Sequence, residues 1–556
     1  VKEALEIDRQ NGNNLWWEAI QKEMRNVRPA FQPWNGNPED IPKEYQKIRC
    51  HMIFDIKLNE GFRRKARYVA GGHTTKTPST LTYSSVVARD SVRIALLIAA
   101  LNGLEVLACD IQNAYLNADC REKIWTIAGP EFGDEAGKPM IVKKALYGLK
   151  SSGAAFHALL ANTLYEMGFT PSRADPDVWL KPQCKPDGFK YYEMVLCYVD
   201  DVLAISHQPM NIMDMIRKTF KLKNDAAEPP DTYLGAQLSL NHSGHAEGWC
   251  ISSEKYLTNA IKTVEERLQK EGRKLPKTGC STPLPEDYAP ELDDSHELGP
   301  AGTQYYQELI GILRWAVEIG RCDILLEVSL MSSYLAAPRK GHLDKVLQIF
   351  GYLKSHSRRR ILMDPSHPDL AATSFHQYNW HDFYPDASEK LPDNAPEPRG
   401  KVVSTHCFVD ANHAGNKANR RSQTGVLLFV NRAPIVWYSK RQNTVETSTF
   451  GSEFVAMKTA VELTEALRYK LRMFGVPLEG PTNVFCDNEA VYRNVSTPTS
   501  ILNKKHLAVA YHKCRESVAA GTVRVAKEDT STNIADVFTK LMPSPKRERL
   551  LDMFML

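Results

Sequence analysis

Cysteine is scarce: 11 in 556 residues, none spaced as Cys-x-x-Cys. A zinc knuckle and a disulfide scaffold are both unsupported, and a reducing compartment fits best. Strong charge of either sign is also missing. Lys and Arg total 70 against 66 Asp and Glu, a formal net charge of +4. This is not a protein coated in basic charge, although the balance leaves room for a local basic channel. No apolar run reaches about 18 residues. The closest, Ile94 to Cys109, is broken by Asn102, Gly103 and Glu105, so no membrane span is expected. The first twenty residues are polar and hold Trp16 and Trp17 where a signal peptide needs an apolar core. The chain starts at Val1, which reads as a fragment or a processed product. Internal repeats and low-complexity tracts are absent.

What remains is ordinary globular composition, 43% hydrophobic and 24% charged, with room for roughly three or four domains. Two proline-dense stretches punctuate it. Residues 276–302 carry prolines at 276, 283, 285, 290 and 300, with Asp293, Asp294 and Glu297. Residues 385–400 carry prolines at 385, 392, 396 and 398 and end in Gly400. Such density blocks helix interiors and central strands. The division expected is 1–275, 276–384, a linker at 385–400, and 401–556.

In the first part, 90–102 reads as a helix, 104–111 as a strand and 153–167 as a helix. Residues 193–206 read as two apolar strands joined at Asp200-Asp201, hence a tight hairpin. A long apolar helix pattern runs from Tyr305 to Ile319. The last part shows strands at 404–410, 424–430, 433–439 and 483–487, and a helix from about 450 to 474. That is an α+β or α/β module with a mixed sheet.

The sharpest local signal is Tyr198-Val199-Asp200-Asp201. Two adjacent acids at a hairpin tip repel each other, and a divalent metal would relieve them; a solvated turn is the plain alternative. Asp110 shifts the balance, because it ends a hydrophobic strand where an unpaired carboxylate is costly. If that strand lies beside the hairpin, three carboxylates meet, a ligand set that Mg²⁺ prefers. Lys65 and Arg67 stand two apart, hence on one face of a strand, and could grip a triphosphate.

Tyr-Val-Asp-Asp in an apolar hairpin resembles the signature of reverse transcriptases. Further segments resemble copia-type LTR-retrotransposon polyproteins. They are Lys65-Ala66-Arg67-Tyr68-Val69-Ala70, Asp110-Ile111-Gln112-Asn113-Ala114-Tyr115-Leu116, Ala145-Leu146-Tyr147-Gly148-Leu149-Lys150 and Tyr233-Leu234-Gly235. The resemblance implies a right-hand polymerase with fingers, palm and the start of the thumb over 1–275, and thumb and connection helices over 276–384. Asp110, Asp200 and Asp201 would then be catalytic and hold two Mg²⁺ (or Mn²⁺) ions about 3.5–4 Å apart. Lys65 and Arg67 would meet the incoming dNTP. Tyr115 would be an aromatic gate under its sugar. Gly148 would let a template or nucleotide approach the backbone closely, and Lys150 would contact a phosphate. Lys221 and Lys223 both offer a proton donor to pyrophosphate, and the sequence does not choose between them. Where the family continues with Gln-Ala-Pro, this chain has Ser151-Ser152-Gly153.

A second acid set stands in the last part. Asp410 ends a strand, Glu453 opens a helix after the capping candidates Ser448 and Thr449, Asp487 ends a strand, and Asp536 lies near the start of the last helix. In this order they resemble the site of ribonuclease H, and Arg420 to Gly425, Trp437 to Gln442 and Lys505-His506 strengthen the match. The resemblance implies two Mg²⁺ or Mn²⁺ ions held by Asp410, Glu453, Asp487 and Asp536, and hydrolysis of the RNA of an RNA–DNA hybrid. The family's second acid is replaced by Asn412, its glutamate by Gly451, and a histidine of some relatives by Ala526. His506 and His512 are candidate substrate contacts, with ordinary structural histidine the plainer reading.

The partners implied are an RNA template, a DNA primer, the hybrid and dNTPs, without a membrane. Basic clusters at Arg63 to Arg67, Lys143-Lys144, Arg358 to Arg360, Arg420-Arg421, Lys440-Arg441 and Lys504-Lys505 offer a salt-sensitive phosphate path. The location implied is cytoplasmic, in a virus-like particle, with a nuclear phase. Integrase, nucleocapsid and protease motifs are absent from these residues. Two rival readings stand beside the enzyme: a decayed element that binds nucleic acid without catalysis, and an unrelated metal-dependent hydrolase.

Overall fold

The computed structural model describes residues 1–57, 63–78, 81–241, 247–278 and 280–556. It is a mixed α and β molecule, and its described strands form five sheets. All eleven cysteines are free thiols.

The sheet that matters first has five antiparallel strands in the order Glu105–Asp110, Asp201–Ser206, Lys190–Tyr198, Val178–Cys184, Thr170–Pro171. Both faces are buried, as the near-continuous apolar runs demand. Met194, Leu196, Leu203 and Ile205 face one side; Val195, Cys197, Val202 and Ala204 face the other. This is the period-two alternation of a strand. Helix Arg89–Asn102 covers the first face. Its sequence is apolar almost all round, so it is buried almost all round, and Gly103 ends it in the left-handed conformation at φ 58°. Helices Ser152–Glu166 and Pro209–Thr219 pack on the second face through Phe156, Leu160, Ile212 and Ile216.

The apolar stripe read from Tyr305 to Ile319 is the helix Pro300–Glu318. It bundles with Glu254–Lys270, Leu325–Met331 and Lys340–Ser355 around Leu309, Leu313, Val346 and Phe350. A charged cluster is sealed at one end of this bundle. Arg321 and Asp323 have fully buried side chains and pair through two 2.8 Å bonds. Tyr352 donates to Asp323 at 3.0 Å, and Arg547, from the last helix Ser544–Leu551, donates to the Asp323 carbonyl and to the Tyr352 hydroxyl. Burial alone would raise the Asp323 carboxyl, but Arg321, Arg547 and Arg359 together hold it below the usual carboxylate range. Asp323→Ala would leave these guanidinium groups without their shared anion. We expect a loss of about 3–5 kcal/mol, read as a lower urea midpoint for the transition that unfolds this region.

The last part holds a five-stranded sheet in the order Ala433–Arg441, Gln423–Val430, Thr405–Asn412, Thr482–Cys486, Val523–Lys527. The first three strands are antiparallel and the last two pair in parallel, so the sheet is mixed as expected. Helix Thr449–Met473 packs across it.

Residues 385–400 form neither helix nor strand, as the prolines dictate. They are nevertheless a fastened strap. The Glu389 carboxylate accepts from Arg468 at 2.7 and 2.8 Å and from Arg472 at 2.5 Å. Tyr192 donates to the Glu397 carbonyl at 2.9 Å, and Gly400 N–H donates to Lys190 at 3.0 Å. The two sheets beneath share one core. Ile98, Leu101 and Met194 lie in the same apolar cluster as Phe474, Val476 and Ile435. Arg93 spans this seam, donating to the carbonyls of Ile435 (2.7 Å) and Glu318 (2.8 Å) with its guanidinium 3.7 Å from the Trp437 ring centre. At Gly475 an added Cβ would lie 2.3 Å from the Tyr192 ring. Only glycine permits that approach.

Candidate active sites

The hairpin is as tight as its sequence suggests. Tyr198 pairs with Asp201, which leaves Val199 and Asp200 as a two-residue loop. Val199 takes φ 56°, a position where hairpin turns favour glycine and a β-branched residue is strained. The neighbouring strand then sets the register: Asp201 stands directly opposite Asp110, and the Asp200 carbonyl accepts from Ile111 N–H at 2.8 Å. The three acids are thus side by side in one sheet. They do not sit easily. Burial, then the Asp200 and Asp110 charges, push the Asp201 carboxyl up to about 6. Burial and Asp110 raise Asp200 as well. Lys223 supplies a counter-charge, its Nζ 2.7 Å from Asp110 Oδ2. Of the two lysines the sequence left open, Lys223 is the one on an acid.

The flanking residues divide. Strand Arg63–Ala70 buries Ala66, Tyr68 and Ala70 on one face and leaves Lys65 and Arg67 half-buried on the other. Arg67 lies 4.4 Å from the Tyr147 ring centre, Tyr147 packs on Tyr115 at 4.7 Å, and burial followed by the Asp200 charge raises the Tyr115 hydroxyl. Arg67, Tyr147, Tyr115 and Asp200 therefore line one corner. Gly148 lies against the chain's own backbone. At φ 93° an added Cβ would lie 2.1 Å from the Ala70 carbonyl and 2.7 Å from Val69. Its close neighbour is the strand that carries Lys65 and Arg67, which Ala70 N–H ties to the Tyr147 carbonyl at 2.8 Å. Lys150 Nζ donates to the Thr75 carbonyl. The departure Ser151-Ser152-Gly153 has a local reason. Ser151 donates from N–H and Oγ to Glu122, Ser152 donates to the Leu146 carbonyl, and helix Ser152–Glu166 starts there.

The second acid set is assembled by a parallel pairing. Val409 stands opposite Cys486, so Asp410 and Asp487, each the next residue along, meet at the same end of the sheet. Ser448 caps helix Thr449–Met473, its Oγ accepting from Gly451 N–H at 3.2 Å, and Glu453 follows in the second turn. Asp410, Glu453 and Asp487 each offer an oxygen within 4.8 Å of the others; among the described residues they form the one such group. Burial, then Asp410 and Asp487, push Glu453 up to about 9, and its Oε2 has no hydrogen-bond partner.

Asp536 departs from the sequence reading. It lies not at the start of the last helix but on the 3₁₀ segment Ile534–Phe538, and it stands outside that group of three. Gly425 allows the placement: an added Cβ there would meet Thr539 at 2.6 Å and Phe538 at 2.9 Å. Asn533 fixes it, donating to the Val409 carbonyl and accepting from Ala535 N–H, both at 3.1 Å. Lys540 then bridges Asp410 (3.1 Å) and Asp536 (2.6 Å), and Lys546 reaches Asp536 at 2.7 Å. Thr539 and Lys540 follow Asp536 in Ala535-Asp536-Val537-Phe538-Thr539-Lys540, but nothing in that stretch marks them as acid partners. Lys546 and Glu446 had no sequence signal. The buried Glu446 explains Gly451: an added Cβ would lie 2.6 Å from its carboxylate, which accepts from His506 at 3.0 Å. His512 instead pairs with the Tyr384 hydroxyl at 2.8 Å.

Residues 38–274 match the family described as reverse transcriptase (RNA-dependent DNA polymerase). The chain is 25% identical over 538 residues to the retrovirus-related Pol polyprotein from transposon RE1 of Arabidopsis thaliana, covering 94% of this chain and 32% of that protein. To its counterpart from transposon TNT 1-94 of Nicotiana tabacum it is 27% identical, with 96% and 37% covered. The Ty1-BL Gag-Pol polyprotein of Saccharomyces cerevisiae is 24% identical, with 95% and 28% covered. The chain thus spans about a third of these relatives' length. Among solved structures it is similar to a foamy viral protease–reverse transcriptase in complex with double-stranded DNA. That likeness has 10% identity and a TM-score of 0.49, over 92% of this chain and 69% of that one. It is also similar to LC11-RNase H1 in complex with an RNA/DNA hybrid, at 16% identity and a TM-score of 0.21, over 24% and 94%.

Proposed function

We propose that this chain, with its reverse transcriptase domain at 38–274 and its kinship to copia-type Pol polyproteins over most of its length, is an RNA-directed DNA polymerase joined to a ribonuclease that cuts RNA in RNA–DNA hybrids. The observation that carries this reading is the register of Asp201 on Asp110 beside the Asp200 turn, with a second acid cluster built into another sheet of the same chain.

The donor chemistry at both sites suits a divalent cation, and at the second site three acids already converge on one point. Their ligand sets are all carboxylate oxygen, which suits Mg²⁺ or Mn²⁺. Burial and neighbouring carboxylates push Asp201 and Glu453 up, and the Glu453 oxygen is buried without a partner. Asp110, Asp200 and Asp201 would hold ions at the polymerase site. Asp410, Glu453 and Asp487 would hold one at the nuclease site, with Asp536 beside a second, for two at each. Such ions, when bound, ease deprotonation of an attacking hydroxyl or water and stabilise the leaving oxygen.

The chain's own residues do the rest. The half-buried face of Lys65 and Arg67 is a counter-charge for a dNTP triphosphate. Gly148 holds that strand against the corner where Tyr115 sits, so its role here is to set the distance between the basic strand and the acids. Tyr115, packed on Tyr147, would lie under the sugar and leave no room for a 2′-hydroxyl. Tyr115→Val is expected to raise the ratio of ribonucleotide to deoxyribonucleotide kcat/KM by at least about tenfold. Single-nucleotide incorporation measures it, and an unchanged ratio would sink the gate.

The decisive experiment runs primer extension on an RNA template and cleavage of an RNA-labelled hybrid in parallel, with Mg²⁺ and with EDTA. Both activities are expected in Mg²⁺ and neither in EDTA. Hybrid binding without either activity would favour the decayed, binding-only reading.

A further inference from the structure

Asp410 and Asp536 are fully buried, both at 0% exposure. Two adjacent carboxylates in that setting are strongly destabilising unless something positive lies between them. Here the chain provides it. Lys540 Nζ is 3.1 Å from Asp410 Oδ1 and 2.6 Å from Asp536 Oδ1. Lys546 Nζ takes Asp536 Oδ2 at 2.7 Å, and the Thr539 hydroxyl donates to Asp410 Oδ2. Every oxygen of the pair is engaged. On the other side of Asp410, Glu453 Oε2 has no partner, and Asp410, Glu453 and Asp487 each bring an oxygen within 4.8 Å of the others, with Lys540 reaching this group through Asp410. One acid cluster therefore has two unlike sides. On one side Lys540 holds a single acid of three, and on the other it bridges both acids.

We infer that Lys540 is a positioning residue and the resident cation of the Asp410–Asp536 side. It holds the two acids in place, and a divalent ion that bridges them must displace it. The inference rests on the nuclease reading above, but it concerns ion binding and not cleavage. Ion binding becomes ordered. The Asp410–Glu453–Asp487 side, where Lys540 holds one acid of three, fills first, and the Asp410–Asp536 side, where Lys540 bridges both acids, fills later and more weakly. The displaced side chain has somewhere to go. Lys540 is about one-third exposed and lines a cavity of about 670 Å³ shared with Asn412, Gln423, Lys440 and Arg441.

The test uses the full chain carrying Asp200→Asn and Asp201→Asn, which weakens ion binding at the other acid cluster. Mn²⁺ binding is followed by calorimetry, and thermal unfolding is followed in EDTA and in Mn²⁺, for this parent and for added Lys540→Met and Lys540→Arg. Lys540→Met is expected to melt below the parent in EDTA and to recover in Mn²⁺, because bound ion stabilises the folded state by mass action. Its weaker Mn²⁺ site is expected to tighten at least about tenfold, the effect of losing one competing ion pair. Lys540→Arg, which keeps the charge, is expected to follow the parent. Lys540→Gln carries the same comparison if Lys540→Met does not accumulate. Unchanged Mn²⁺ affinity, or a stability deficit that Mn²⁺ leaves in place, overturns the inference. A parent chain with Lys540 intact that fails to cut RNA would count against the nuclease proposal and would leave this ion comparison standing.

Discussion

Asp200→Asn is expected to lower primer extension by at least about a thousandfold and to leave hybrid cleavage close to its original rate. Asparagine is accepted in tight turns, and the bond that fixes this turn, Ile111 N–H to the residue-200 carbonyl, belongs to the backbone. The hairpin should keep its register, with position 201 still opposite Asp110. What is lost is one negative charge. Because burial and Asp110 already raise Asp200, its removal relieves repulsion, so the variant should fold at least as well as the original. Asp410, Glu453 and Asp487 are built on a different sheet and the helix packed on it, and among the described residues no hydrogen bond links Asp200 to them. Parallel extension and cleavage assays on a variant with unchanged circular dichroism provide the check. Loss of both activities in that folded variant would mean that one site does both jobs.

The second large effect is the mirror case. Glu453→Gln should reduce RNA cleavage by at least about a thousandfold while extension continues. The side chain is buried on the second turn of its helix, and glutamine keeps its shape. Its unpartnered oxygen faces Asp410 and Asp487, so the neutral amide removes a like-charge contact. The variant should therefore melt higher than the original in EDTA, gaining stability as it loses activity. A gel-based cleavage assay and a melting curve in EDTA test the two halves. Retained cleavage would remove Glu453 from the site, and a lower melting temperature would mean that the carboxylate has a structural partner.

Much of the fold was legible because it is local. The helix Arg89–Asn102, the strand Glu105–Asp110 and the hairpin follow from apolar periodicity and turn chemistry, and a two-residue hairpin fixes its own register. That sets Asp200 beside Asp201. The meeting with Asp110 enters from sequence only as a condition and through the family resemblance, because like the meeting of Asp410 with Asp487 it joins strands far apart in the chain. What could not be read were long-range partners. Nothing near Gly148 announces that Ala70 will be the backbone pressed against it. Nothing near Lys150 announces Thr75. The sequence around Gly451 shows a missing acid, and only the fold shows that Glu446 has taken the space. Asp536 reads in sequence as lying near the start of the last helix, whereas Gly425 and Asn533 draw that segment onto the sheet as a 3₁₀ turn. The proline-dense strap was read correctly as irregular, but irregular backbone can still be anchored, and its anchors Arg468, Arg472, Tyr192 and Lys190 are remote in sequence.

The shared core has a practical consequence. A scissors cut at the strap looks safe on paper, since 385–400 is where a boundary would be drawn. Yet severing and separating the halves there would bare Ile98, Leu101 and Met194 on one piece and Ile435, Phe474 and Val476 on the other, and would strand Arg93 away from Ile435 and Trp437. Each piece would carry a sticky apolar wound of the kind that drives clumping. Co-expressed, the two should find each other again; expressed singly, each should need a detergent or a repaired surface to stay in solution.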